Sequence, residues 1–201
     1  MITTRDLRRL ADIALTMPPG MHNDILKQCP EVELWPYYRF LYLLMHKVHP
    51  RIVVECGVYQ GSATEHMAIA DTNANIIGID NNPMPRVADV VYRNQNVYML
   101  RGDTVESAYK VTRLLSDWKA RIGILFLDST HDGNTPTREY LAYSQMLSDE
   151  AIVVCDDILF PPMIGFWNWL PGDKIELHEL HPKPSKDYQD IGFGVSIVRH
   201  K

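Results

Sequence analysis

Apolar residues at two different spacings divide this chain into a helical beginning and an alternating remainder. Leu7, Leu10, Ala11 and Ala14 recur every three or four positions over residues 4–15, and Leu34, Tyr38, Leu41, Met45 and Val48 do so over 34–48. Each set forms one stripe along a helix. Threonines ahead of the first segment suit its cap, and Pro18-Pro19-Gly20 and His49-Pro50 supply the stops. From residue 52 the pattern shortens to apolar runs of strand length at 52–55, 75–80, 96–101, 122–128 and 151–156. Between them lie segments of helix potential at 62–71, 86–93, 104–116 and 135–147, the last with Pro136 suited to a first turn behind a Thr135 cap. This alternation predicts an α/β fold whose parallel sheet is covered on both faces. Beyond Asp157 the spacing predicts a short helix over 164–170, a break at Pro171-Gly172, and strands over 174–180 and 193–199. These two form an antiparallel pair joined by a polar loop rich in proline and lysine.

At 201 residues the chain makes one domain of ordinary size, with residues 1–50 as an N-terminal helical extension of a body over 51–201. A formal net charge of -5 and the lack of any lysine or arginine run argue against a nucleic acid partner held by its phosphates. Apolar stretches such as 122–127 are far too short for a membrane span, and the N-terminus lacks the apolar core of a secretion signal, so the expected location is cytoplasmic. Cys29, Cys56 and Cys155 have no metal-binding spacing, and an odd count argues against a disulfide framework. They read as buried thiols.

The richest stretch is Glu55-Cys56-Gly57-Val58-Tyr59-Gln60-Gly61, which runs from the first strand into a helix starting near Ser62. Gly57 allows a sharp turn, and Gly61 allows close approach of backbone and ligand. Tyr59 stands where a dinucleotide fingerprint has its second glycine, so pyrophosphate is a poor guest. Ligands of an open parallel sheet sit beyond the strands' carboxyl ends. Here that rim is acidic: Glu55, Asp80, Asp103, Asp128, Asp156 and Asp157 lie at or just past strand ends. So many carboxylates on one edge call for cations or hydroxyl donors among them. The fourth and fifth strands are expected to be neighbours about 4.8 Å apart, bringing Asp128 beside Asp156. A hard divalent cation, Mg²⁺ first, suits such oxygens. Asp157 joins them only if the chain leaves strand geometry, because successive strand residues point to opposite faces.

The E-x-G-x-x-x-G turn resembles motif I of the class I methyltransferases that use S-adenosylmethionine. Asp128-Ser129-Thr130-His131 and Val154-Cys155-Asp156-Asp157 are similar to segments of metal-dependent O-methyltransferases, of the catechol type, the macrocin type and a cephalosporin-hydroxylase-like group. The resemblance runs from about residue 52 to 157. It implies a Rossmann-like seven-stranded methyltransferase sheet, mostly parallel with the last strand antiparallel. It implies S-adenosylmethionine bound by Glu55, Gly57, Tyr59, Gly61, Ser62, Asp80, Asn81, Asp103, Thr104 and Asp128, with Asp80 on the ribose hydroxyls and Asp103 on the adenine amino group. The alternatives for both acids are caps on the segments that follow them. Asp128, Asp156 and Asp157 would hold the metal. His131 matches the general base of the macrocin type, where the catechol type has a lysine that this chain lacks; a histidine there suits a base titrating near neutral pH. The structural alternative is a loop histidine bonded to a carbonyl.

The resulting expectation is divalent-metal-assisted O-methylation of a small-molecule hydroxyl, with His131 and Asp128 as catalytic residues. Rival readings are a metal-independent methyltransferase of this fold, a cofactor-binding protein with hydroxylase-like or regulatory activity, and a nicotinamide oxidoreductase, which Tyr59 disfavours. His22, His46, His49, His66, His178, His181 and His200 form no visible ligand set and read as surface residues. Trp35, Tyr37, Tyr38, Trp167 and Trp169 suit the roof of a substrate pocket, but aromatic residues at helical spacing more often belong to a core or to the interface of a homo-oligomer.

Overall fold

A computed structural model of the chain describes residues 1–17, 35–181 and 192–200. The Pro18-Pro19-Gly20 stop, His22, Cys29 and the proline- and lysine-rich loop lie outside them. The described part contains seven α-helices and seven strands: α1 (Thr4–Thr16), α2 (Tyr37–Val48), β1 (Ile52–Cys56), α3 (Ser62–Ala70), β2 (Asn75–Asp80), α4 (Arg86–Arg93), β3 (Val97–Arg101), α5 (Ala108–Trp118), β4 (Ile122–Leu127), α6 (Asn134–Ser144), β5 (Leu147–Asp156), α7 (Pro161–Trp169), β6 (Asp173–Glu176) and β7 (Phe193–Arg199).

The strands form one sheet in the order β3-β2-β1-β4-β5-β7-β6. The strands β1 to β5 pair in parallel, and β7 lies antiparallel between β5 and β6. Strand order therefore reverses between β1 and β4, which opens a crevice at their carboxyl ends. The strands alternate so that Val53, Ile76, Ile124, Phe126, Ile152 and Val154 face the core shared with α1, α2 and α3, while Val54, Ile77, Leu125, Leu127, Val153 and Cys155 face the one shared with α6 and α7. Cys56 and Cys155 flank Leu127 on the second face as buried free thiols.

Helix α1 begins at a capping box, in which the Thr3 hydroxyl and the Asp6 carboxylate bond each other's backbone amides. Its Leu7, Ala11 and Ala14 are fully buried against the first face, so the N-terminal segment completes the core of the sheet. His49 ends α2 in the left-handed conformation.

Several boundaries differ from the sequence reading. Residues 104–107 form a turn, and the helix expected from Thr104 begins at Ala108. Leu147 opens β5 instead of closing a helix, because its side chain is needed opposite Ile122 in the sheet. The helix expected behind a Thr135 cap starts at Asn134 with Gly133 as its cap, and the Asp132 carboxylate just ahead accepts the Thr135 amide. Residues 178–180 form a 3₁₀ turn where the final pair of strands was expected to continue.

Candidate active site

The turn after β1 is held by its own amides. Gly57 N–H donates to Ile79 O, the Val58 and Tyr59 amides both donate to Asp80 Oδ2 at 2.9 Å, and Gly61 N–H donates to Val58 O. With these amides occupied, the turn offers little of the free N–H cradle that a phosphate needs. Gly57 is required for a second reason. At φ +87° its backbone passes so close to β4 that an added Cβ would stand 2.1 Å from the Asp128 carbonyl oxygen. The reciprocal bond, Asp128 N–H to Cys56 O at 2.8 Å, locks the two strand ends together. Tyr59 also adopts positive φ and is largely exposed beside the crevice. Ser62 is buried at the start of α3.

Asp80 is more occupied than its assigned ribose role suggests. Besides the two turn amides, its Oδ1 accepts the Asn82 amide at 2.7 Å, leaving about one of a carboxylate's four acceptor positions. Asn81 is exposed next to it, its carbonyl meeting Arg101 Nε. Asp103 Oδ1 accepts the Val105 and Glu106 amides, so the capping alternative is realised with one oxygen. Thr104 is buried and turned inward, its hydroxyl donating to Glu139 Oε1 at 2.5 Å. The Ser129 hydroxyl donates to the same oxygen, so Glu139 ties the loop after β3 to the loop after β4. Burial pushes the Glu139 carboxyl up to about 6, against the two hydroxyl bonds.

Glu55 does not belong to the open rim. The strand continues through Cys56, and Glu55 points into the core beneath α3, where the Thr64 hydroxyl donates to it at 2.5 Å. Burial pushes its carboxyl up to about 8, with the Thr64 bond opposing and Asp80 adding to the shift. It is a neutral acid at pH 7.

The remaining acids do converge. Leu127 pairs with Cys155, so Asp128 and Asp156, the next residue on each chain, emerge side by side on the face carrying Phe126 and Val154. At Asp157 the backbone turns to φ +58°, which meets the condition for this residue to leave strand geometry. Its Oδ2 lies 2.8 Å from His131 Nδ1, and His131 Nε2 lies 3.6 Å from Asp128 Oδ1. Burial and the neighbouring Asp156 hold Asp128 well above the ordinary carboxylate range. Burial raises Asp157 too, against the His131 bond. Burial alone would lower His131; the Asp128 and Asp157 carboxylates outweigh it and push the imidazole up to about 10. Both acids thus hold the ring above the near-neutral value expected from sequence, through their contacts with its two nitrogens.

Two histidines read as surface residues are interior. His66 is fully buried in α3, with Nδ1 2.7 Å from Ser62 O. His181 is buried with Nε2 2.6 Å from Asp156 Oδ1, and its ring stacks on Tyr37 and meets Trp35 edge-on. Nothing in its local sequence marks His181, since the segment around it is polar; the signal is spatial. Tyr37 and Trp35 thus border the acidic cluster, whereas Trp167 packs on the opposite face and bonds Glu176.

The cluster fits a cation. Single ligand atoms of Asp156, Asp157 and His181 lie within 4.8 Å of one another, and Asp157 Oδ1 and His131 Nε2 are buried without a hydrogen-bond partner among the described residues. A buried carboxylate oxygen in that state lacks the compensation that such groups ordinarily have.

Solved methyltransferases share this fold. The fold matches the O-methyltransferase TomG from Streptomyces achromogenes, involved in tomaymycin synthesis and solved with S-adenosylmethionine, over 100% of both chains with a TM-score of 0.70 at 14% identity. It matches an O-methyltransferase from Bacillus cereus in complex with S-adenosylhomocysteine over 96% of each chain, with a TM-score of 0.64 at 13% identity. A methyltransferase from Geobacter sulfurreducens matches with a TM-score of 0.63 at 16% identity, covering 100% of this chain and 98% of that one. No curated protein matches the chain in sequence. Among the described residues no helix is long and apolar enough to cross a membrane. A family model described as a methyltransferase domain matches residues 54–158, the span from β1 to just past β5 that holds the glycine turn and the acidic cluster. The chain belongs to that methyltransferase family, on the Rossmann-like fold of its class I members.

Proposed function

We propose that this protein transfers a methyl group from S-adenosylmethionine to a hydroxyl of a small molecule, with a divalent cation, Mg²⁺ or a similar ion, at Asp128, Asp156 and Asp157. The observation that carries the reading is the convergence of these three carboxylates with His131 at the ends of β4 and β5, beside the turn at Gly57. Bound S-adenosylmethionine supplies a methyl group made electrophilic by a sulfonium. The Gly57–Gly61 turn, the remaining acceptor position of Asp80, Asn81 and Asp103 hold and orient it, with Tyr59 and Ser62 bordering the turn. Glu55 and Thr104 support the pocket from beneath, since their polar atoms face inward.

A cation held by the three carboxylates would acidify a hydroxyl beside it and draw off the negative charge that keeps His131 protonated. His131 Nε2, buried and without a hydrogen-bond partner among the described residues, is the atom that takes the substrate proton, and Asp157 on Nδ1 fixes the ring. Orientation of the hydroxyl toward the methyl group supplies several kcal/mol of the barrier reduction. Trp35 and Tyr37 border the site on this side through their contacts with the His181 ring.

A second reading, a methyltransferase without metal, is favoured by one observation: His131 already sits between the two acids, 2.8 Å from Asp157 Oδ2 and 3.6 Å from Asp128 Oδ1. Chelation separates the two. The purified chain is incubated with S-adenosylmethionine and a panel of phenols, catechols and sugar alcohols, with Mg²⁺, with Mn²⁺ and with a chelator, and S-adenosylhomocysteine is measured. Turnover lost with chelator and restored by cation supports the first reading; undiminished turnover with chelator supports the second. A chain that binds neither S-adenosylmethionine nor S-adenosylhomocysteine in calorimetry refutes both.

A further inference from the structure

We infer that His181 is an additional ligand of the cation site, and that its imidazole makes the site prefer Mn²⁺ and Zn²⁺ over Mg²⁺. This rests on the cation reading above and goes beyond its carboxylate set. His181 follows the 3₁₀ turn His178–Leu180, far in sequence from the ends of β4 and β5. Its side chain is 1% exposed, and its Nε2 points into the cluster, 2.6 Å from Asp156 Oδ1. Trp35, Tyr37 and Phe193 surround the ring and leave it little freedom to turn away.

The atoms are spaced for coordination. Oxygen or nitrogen ligands of one octahedral ion stand about 3 Å apart when adjacent and about 4.2 Å apart when opposite, from bonds of about 2.1 Å. One ligand atom each from Asp156, Asp157 and His181 falls within 4.8 Å of the others, so small shifts of these side chains complete the set. An independent observation points the same way: among the described residues Asp157 Oδ1 has no hydrogen-bond partner, though the residue is only 7% exposed. Three carboxylates and two imidazoles meet here, and an ion satisfies the orphaned oxygen where neither histidine reaches it.

The donor set decides which ion. Mg²⁺ favours oxygen ligands and retains several waters, whereas imidazole raises affinity for transition metals and Zn²⁺. The competing account makes His181 a positioning residue that only holds Asp156 in place; it predicts no change in metal preference when the ring is lost.

Calorimetric titration of the full chain with MnCl₂, ZnCl₂ and MgCl₂ tests this, on wild type, His181→Gln and Asp156→Asn, with thermal unfolding as the folding control. Mn²⁺ and Zn²⁺ are expected to bind wild type more than about tenfold more tightly than Mg²⁺. His181→Gln is expected to weaken Mn²⁺ and Zn²⁺ by about 10–100-fold while changing Mg²⁺ less than about threefold. Pulsed electron paramagnetic resonance of the Mn²⁺ complex is expected to show coupling to a directly bound nitrogen that survives in His131→Gln. If His181→Gln does not fold, that coupling in wild type and in His131→Gln decides alone. Cation binding with an unchanged Mn²⁺ to Mg²⁺ ratio in His181→Gln, or without nitrogen coupling in His131→Gln, overturns the inference and leaves the carboxylate site standing. Absence of any cation binding in wild type, with Asp156→Asn identical, overturns the cation reading itself and the inference with it.

Discussion

Replacing Glu55 with glutamine changes how stability depends on pH, by an amount that follows from its burial. The carboxyl lies beneath α3 with Thr64 as its hydrogen-bond donor, and burial moves it from the ordinary 4.5 to about 8. Below pH 4.5 it is protonated whether the chain is folded or not. Between 4.5 and 8 the unfolded chain loses this proton and the folded chain keeps it, so stability falls as pH rises through that window. At about 1.4 kcal/mol per unit the full penalty is about 5 kcal/mol, of which about 4 kcal/mol develops between pH 5 and 8.5. That is a large share of a domain's usual stability of about 5–15 kcal/mol. Glu55→Gln keeps an acceptor for Thr64 and removes the titration. Urea unfolding followed by circular dichroism, on both proteins at both pH values and without cofactor, is expected to show the variant gaining about 4 kcal/mol on wild type from pH 5 to 8.5. Comparing the two proteins cancels the contributions of Asp128, His131, Asp157 and Glu139. An equal change in both refutes a protonated Glu55 at neutral pH.

Gly57→Ala is expected to cost about 3 kcal/mol or more, because it combines positive φ with a Cβ 2.1 Å from the Asp128 carbonyl oxygen; Gly165→Ala, which meets nothing within 4 Å, is the control in the same thermal scan. Glu65 bonds both Arg86 and Arg93 while almost fully buried, so Glu65→Ala is expected to cost about 3 kcal/mol in urea unfolding, and a loss below about 1 kcal/mol would show the ion pairs to be incidental. Glu139→Ala strands the Thr104 and Ser129 hydroxyls and is expected to cost about 2–4 kcal/mol, with Glu139→Gln recovering most of it; equal losses in both variants would refute the bridging role. His131→Gln is expected to lower kcat by about 10²–10⁴-fold with a small change in KM, measured as S-adenosylhomocysteine formation.

The strand and helix alternation, the glycine turn and the place of Asp128 and Asp156 could all be read along the chain, because each depends on periods of two or about three and a half residues and on which residues follow a strand. Even α4, with only Val87 and Val90 buried, lies where its spacing put it. Glu55 is the instructive case among the acids. Its position at a strand end suggested a rim charge, yet one more strand residue and the alternation of faces turn it into the core, where desolvation keeps it neutral. His181 is the counterpart, a histidine in a polar segment with no local mark. Only the antiparallel return of β7 and the packing of Tyr37 bring it against Asp156, more than twenty residues away. Local periodicity states which face of an element is apolar, so elements and their order were legible from the residues alone. Charge state and metal fit depend on desolvation and on distances between segments remote in sequence, and these exist only once the chain has packed.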